Sequence, residues 1–232
     1  MLRVSEASGG YSSTVIIRDI DLQVAAKEMV ALLGRNGTGK TTLMKYIMGL
    51  VRPVSGTVSM DDRKLPDSPS QRARAGLGYV PQGRHVFPRL TVRENIIASA
   101  VGCGHDPNRA LQEVFAMLPV LAERPHILAG SLSGGQQQIL AIGRALATRP
   151  KVLLLDEPSE GVQPSIVYEI EQMLVKLNRE RGIAVLLAEQ NLDFALSATT
   201  RAYVMDKGRI AHTTTREALL ADKQILHQLL GV

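Results

Sequence analysis

The sequence predicts an α/β fold, with a largely parallel sheet covered by helices on both faces. Three observations carry that prediction. Apolar runs such as "MVALL", "VLLLD", "IAVLLAE" and "AYVMD" read as strands buried on two faces rather than one. Segments with helical spacing of apolar residues alternate with them. A glycine-rich stretch, "GRNGTGKT", joins one such strand to a helix, the junction at which α/β sheets take up phosphates.

The elements follow in order. "LRVSEAS", "IRDIDLQV" and "EMVALLG" are short strand-like runs, and in "IDLQV" Ile20, Leu22 and Val24 share one side. "TTLMKYIMGL" is helix-like, with Met44 and Met48 as core filler. "SGTVSMDD" is a strand that ends in an Asp61-Asp62 turn, and "LGYVPQ" is a strand stopped by Pro81. Thr91 and Glu94 form a capping box that opens a helix through about Ala100. Asp106 and Pro107 are an N-cap and N1 pair, and Leu111, Val114, Phe115 and Leu118 then share a helical face. Ser133 opens a helix carrying Ile139, Ile142 and Leu146. Residues 91–148 therefore read as a helical lobe inside a single domain spanning 1–232. Strands return at 152–156, 183–189 and 202–206, with a helix bearing Ile166, Ile170, Met173, Leu174 and Leu177 between the first two. "TTREALLADKQILHQLLGV" reads as one or two short amphipathic helices.

Composition narrows the function. The chain has 232 residues, 45% hydrophobic and 21% charged, enough to bury a sizeable core. The net charge of +5 is spread out, which permits an anionic ligand or a membrane surface without requiring either. Aromatics are 3% with no Trp, which argues against base-stacking on nucleic acid. The lone Cys103 cannot form an internal disulfide and reads as a small core or turn residue. The five histidines lack metal-ligand spacing. No apolar run nears the roughly 18 residues of a membrane span, so a soluble chain is expected. In transport, another chain would supply the channel.

The chemistry lies in three places. "GRNGTGKT" matches G-x-x-x-x-G-K-[ST] in full and in the required strand–loop–helix setting. Its glycines let the backbone wrap phosphates, Lys40 reaches the β and γ oxygens, and the Thr41 hydroxyl suits Mg²⁺. In "KVLLLDEP", Asp156 and Glu157 end a buried strand. Strand alternation separates their tasks: Asp156 suits the Mg²⁺ shell, and Glu157 suits orienting or deprotonating an attacking water. "SLSGGQQQ" looks like a helix start built for an anion, yet it has no lysine.

Together these residues resemble the ATP-binding subunits of ABC transporters over nearly the whole chain. "LSGGQ" at 132–136, about twenty residues before "LLLDEP", is far more specific than the P-loop, and "GLVRPVSGTV" adds to it. The resemblance implies an ABC-type nucleotide-binding domain of the P-loop NTPase class, with a parallel-sheet core, an N-terminal antiparallel β subdomain and a helical subdomain facing transmembrane permease subunits. It implies ATP and Mg²⁺ as ligands. Tyr11 would stack on adenine; Gly34, Asn36, Gly37, Gly39, Lys40, Thr41 and Thr42 would hold the phosphates. Thr41, Gln82 and Asp156 would form the metal set. Ser133, Gly135 and Gln136 would grip the ATP held by a second cassette, paired head to tail, whose own lysine supplies the missing charge. An extracytoplasmic solute-binding protein would be an indirect partner, and the place of work the cytoplasmic face of the membrane.

Within the family, "GYVPQGRHVFPRLTVRENI" and "LLLDEPSEGVQPSIV" look most like importers of branched-chain amino acids and of urea and short amides. A lipid- or lipopolysaccharide-exporting cassette is the alternative, and a soluble ABC-type ATPase is a further one. Two places depart from the common pattern. After "DEP" many cassettes of the family read Ser-Ala-Leu-Asp, where Glu160, Gly161, Val162 and Gln163 stand here, and Gln190 replaces the usual switch histidine, which leaves a non-catalytic cassette open. Gln190 follows the strand "AVLLAE" and is expected at the sheet edge of Asp156 and Glu157 as a catalytic hydrogen-bond donor. Arg84 and Arg89 are expected either to meet a membrane partner or to be solvated.

Overall fold

The structure is a computed structural model that describes residues 1–221; the end of the C-terminal amphipathic segment lies outside the described residues. Strands β1 (Leu2–Tyr11), β2 (Thr14–Val24) and β3 (Met29–Leu33) come first, then helix α1 (Lys40–Met48). β4 (Arg52–Met60), the two-residue β5 (Arg63–Lys64), α2 (Pro69–Arg74) and β6 (Leu77–Val80) follow. Four helices come next: α3 (Val92–Gly102), α4 (Pro107–Met117), α5 (Pro119–Ala122) and α6 (Gly134–Leu146). The chain then alternates through β7 (Val152–Asp156), α7 (Pro164–Arg181), β8 (Ala184–Glu189), α8 (Leu192–Ala198), β9 (Arg201–Asp206), β10 (Arg209–Thr215) and α9 (Arg216–Ala221).

Two sheets form. An antiparallel one runs β2-β1-β4-β5, and the core sheet runs β10-β9-β3-β8-β7-β6. In the core sheet all neighbouring strands are parallel except the edge pair β9–β10. Every residue of β3, β7 and β8 is buried. Period-2 alternation splits β7 and β8 between two cores: Leu153, Leu155, Val185 and Leu187 face the core shared with α3, α4, α6 and α7, whereas Leu154, Leu186 and Ala188 face that shared with α1 and the antiparallel sheet. In β3, Val30 and Leu32 join the latter, and Ala31 and Leu33 a third cluster with α8 and β9.

The predicted helix starts form as capping predicts. The Thr91 side chain accepts from the Glu94 backbone, and the Glu94 carboxylate accepts in return from Thr91 N. Asp106 caps α4. Helices α3–α6 lie between residues 92 and 146.

Five elements escaped the pattern reading, among them the four-residue α5, which is barely one turn long. β10 is mostly exposed and shows no apolar alternation, so its strand exists because β9 pairs with it across a tight Lys207-Gly208 turn with positive φ at both residues. β5 is too short to have a period. α2 and α8 are each under two turns, too brief for a helical stripe, although Ser68-Pro69 and Asn191 are legible start signals.

Candidate functional site

The site begins with strand order. β8 lies between β3 and β7, with Leu33 opposite Glu189 and Asp156 opposite Ala188. The three carboxyl ends are therefore in step, and the loops that leave them open on one sheet edge. A cavity of about 390 Å³ sits there, lined by Tyr11, Ile16, Asn36, Gly37, Gly39, Lys40, Thr41, Thr42, Gln82 and Glu157. Nine of these ten are residues singled out from sequence. Ile16 is the addition; β2 brings it beside Tyr11, an apolar pair suited to a flat ring. Gly39 precedes α1 at φ 108, a left-handed conformation that glycine takes without strain.

Lys40 is 4% exposed, and its ammonium has three acceptors. These are Gly34 O at 2.7 Å, Arg35 O at 3.2 Å and Glu157 Oε1 at 2.9 Å. Asp156 is fully buried, accepting from the Thr41 hydroxyl at 3.0 Å and the Tyr79 phenol at 3.2 Å. Burial pushes its carboxyl up, and those two hydrogen bonds oppose the rise. Burial, reinforced by the negative Asp156, pushes the Tyr79 phenol far up, so it stays a donor.

Strand alternation alone would send Glu157 away from Asp156. Glu157 instead lies one residue past β7 at φ 49, and its backbone N–H donates to Ala188 O at 2.9 Å. That turn brings its carboxylate round to Lys40. The two acidic residues keep separate partners, as expected, but the reason is a left-handed turn rather than the pleat.

The oxygens around Thr41 fit a hard cation. The Thr41 hydroxyl and a buried Asp156 oxygen lie 3.0 Å apart. No cluster of three or more His, Cys, Asp or Glu exists among the described residues. One carboxylate plus a hydroxyl is what Mg²⁺ takes when phosphates and water complete its shell.

Gln82 bridges two loops. Its amide nitrogen donates to Glu160 at 2.8 Å and to Glu157 at 3.3 Å, leaving the amide oxygen to meet a metal. Glu160, one of the departures from pattern, is thus a partner of Gln82. Arg84 also turns inward. It donates to Gly161 O at 2.9 Å and packs where a side chain on Gly134 would stand. Arg84 is half-buried, with the Gly161 carbonyl taking one of its donors, whereas Arg89 is exposed. Asn95, fully buried on α3, holds the same loop through Phe87, Leu90 and Thr91.

The helix start at α6 is intact and separate. Ser133 Oγ accepts from Gln136 N at 3.3 Å, and the Gln136 side chain accepts from Ser133 N at 3.1 Å. Gln136 is therefore spent as a cap, while the exposed Ser133 hydroxyl still has a proton to donate. Gly134 and Gly135 lie in the first turn, where N–H groups have no intrahelical partner. Gly135 has a packing reason as well: a Cβ there would stand 2.7 Å from Ile166 of α7. None of Ser133, Gly135 and Gln136 lines the cavity around Lys40.

Gln190 follows β8 at the expected edge and is exposed. The residue before it was missed. Glu189 is 1% exposed and accepts from the backbone of Ser159, Gln190 and Asn191. The sequence signal was a carboxylate ending an otherwise apolar strand.

The ABC transporter family model matches residues 17–160. The high-affinity branched-chain amino acid transport ATP-binding protein BraG of Pseudomonas aeruginosa is 40% identical over 233 residues, covering 100% of both chains. The lipopolysaccharide export system ATP-binding protein LptB of Haemophilus influenzae is 36% identical over 236 residues, covering 100% of this chain and 97% of LptB. A dimeric ATP-binding cassette in a post-hydrolysis state, bound to ADP and Pi, matches with a TM-score of 0.81 at 25% identity, over 93% of this chain and 99% of that one.

Proposed function

The chain belongs to the ABC transporter family and is an ATP-binding, ATP-hydrolysing subunit of it, and we propose that it powers an importer of branched-chain amino acids or of urea and short amides. The observation that carries the solute class is the full-length identity to BraG, which exceeds that to LptB. Export of a lipid or lipopolysaccharide is the second reading, kept because the LptB match also runs the length of the chain.

ABC cassettes dimerise and work with permease components. We assign the permease contact to the helical lobe, at its border with the sheet core, where a groove of about 270 Å³ runs between Ala141 and Arg144 of α6 on one side and Leu50, Tyr79 and His85 on the other. No described helix is long and apolar enough to cross a membrane, which fits a peripheral subunit on the cytoplasmic face. A solute-binding protein would act through the permease.

The mechanism follows from the site. Tyr11 and Ile16 offer the adenine a flat apolar seat. The 34–39 loop and the start of α1 present backbone N–H groups to the phosphates. Lys40 neutralises the β and γ oxygens, exchanging its bond to Glu157 for them. Glu157, so released, takes a proton from the attacking water. Gln82 and Gln190 orient that water. Thr41, Asp156 and the Gln82 oxygen would hold Mg²⁺, which offsets the charge of the triphosphate when bound. Ser133 and Gly135 face outward to the ATP of the opposing cassette, which explains their separation from the cavity that holds Lys40.

The test is uptake in a deletion strain. Loss of labelled leucine, isoleucine and valine uptake, or of urea uptake, restored by the intact gene, is the expected result. Unchanged uptake with a damaged outer envelope would replace import with export.

A further inference from the structure

We propose that Glu189 is a positioning residue for hydrolysis, clamping the Glu157 loop and the Gln190 loop onto the end of β8 through backbone N–H groups. The inference rests on the assignment of Glu157 as base and goes beyond it, because Glu189 itself touches neither the cavity nor Lys40.

The geometry is specific. Glu189 Oε1 accepts from Ser159 N at 3.0 Å, two residues past Glu157. Glu189 Oε2 accepts from Gln190 N and Asn191 N, each at 3.2 Å. Both oxygens are thus used, one on each loop. Glu157 N is tied to Ala188 O on the same strand, so the turn at 157–159 is stitched to β8 at two successive residues. That turn holds Glu157 at φ 49, a left-handed conformation costly for a glutamate, which persists only where surrounding contacts impose it. A carboxylate that is 1% exposed would normally be expelled from a sheet end. Burial pushes the Glu189 carboxyl up, and the Ser159 and Asn191 N–H groups pull against it. Three charge-assisted bonds to backbone compensate the burial. An apolar residue would fill the space without joining the two loops.

The test compares Glu189→Gln and Glu189→Asp with the unmodified chain. The glutamine keeps volume but replaces one acceptor oxygen by an NH₂ group that faces an N–H. The aspartate keeps charge but withdraws it by one methylene. We expect kcat to fall about tenfold to a hundredfold in Glu189→Gln, the scale of a catalytic group displaced by about 1 Å. ATP affinity should change less than about threefold, because the phosphate loop is untouched. Glu189→Asp should retain part of the rate. Amide hydrogen exchange at Ser159, Gln190 and Asn191 should quicken in Glu189→Gln, and this readout does not depend on turnover. Adding Glu189→Gln to Glu157→Gln should cost little further, since both act through one base. Full turnover by Glu189→Gln overturns the proposal, as does a parallel fall in rate, ATP affinity and Tm. Full turnover by Glu157→Gln would instead remove the base assignment and the clamp's purpose with it.

Discussion

Lys40 and Glu157 form a buried ion pair, and a buried pair is costly to break from one side. Glu157→Gln keeps the size and hydrogen bonding of the side chain and removes its basicity. Turnover is expected to fall about a hundredfold or more while ATP still binds, so an ATP-held dimer should accumulate. Gln190 differs from the usual histidine in having no titration. Its amide still donates, and an oriented donor at a developing anion is worth about 3 kcal/mol. Gln190→Ala is therefore expected to lose most turnover with ATP affinity nearly unchanged. Gln190→His should stay active and show a new titration near pH 6.5. Turnover against pH for these variants is the measurement; an undiminished rate in Gln190→Ala would make Gln190 structural.

Helix α6 illustrates how one element serves two ends. Its N-terminus is capped internally by Ser133 and Gln136, and Gly135 lets it approach Ile166 of α7. The same turn leaves N–H groups without intrahelical partners and an exposed hydroxyl, none of them lining the cavity around Lys40. Ser133→Arg should leave ATP binding to a single subunit nearly intact and abolish ATP-dependent dimerisation and turnover. Size-exclusion chromatography with and without ATP, beside an equilibrium nucleotide titration, reads both. Equal loss of subunit affinity would mean that the helix start serves its own cavity. At this scale the sequence is most legible: capping boxes at Thr91 and Ser133 are local, since cap and partner stand three residues apart. β10 is illegible for the converse reason, because its stabilising partner is another strand and not its own side-chain pattern.

Between the sheets, the β9–β10 turn is a structural joint. Gly208 N donates to Thr38 O at 2.9 Å, and Arg18 N donates to Gly208 O at 2.8 Å, so the turn ties β2 to the phosphate loop. A Cβ on Gly208 would stand 1.9 Å from Ile16 O, at φ 80. Gly208→Ala should destabilise the whole molecule by about 1–3 kcal/mol or more and weaken ATP binding. Gly104→Ala is the control, since Gly104 shares the positive φ with nothing within 4 Å of its Cβ. Urea unfolding midpoints should fall clearly further for Gly208→Ala; equal shifts would show that the joint yields.

By itself, the sequence determined what depends on neighbours along the chain. The phosphate loop needs glycines, a lysine and a hydroxyl within eight residues, and the buried strands need only apolar runs. The tertiary structure alone decided what depends on strand order and backbone direction. Thr41 and Asp156 meet across 115 positions because β8 enters between β3 and β7 and keeps their ends in step. Glu157 reaches Lys40 because the chain turns left-handed where the pleat would have sent it away. Glu189 reads in sequence as one more acid after an apolar strand; only the fold places three backbone donors around it. No periodicity encodes such contacts, since they arise when separate segments are packed against a common sheet end and their buried polar groups must find partners.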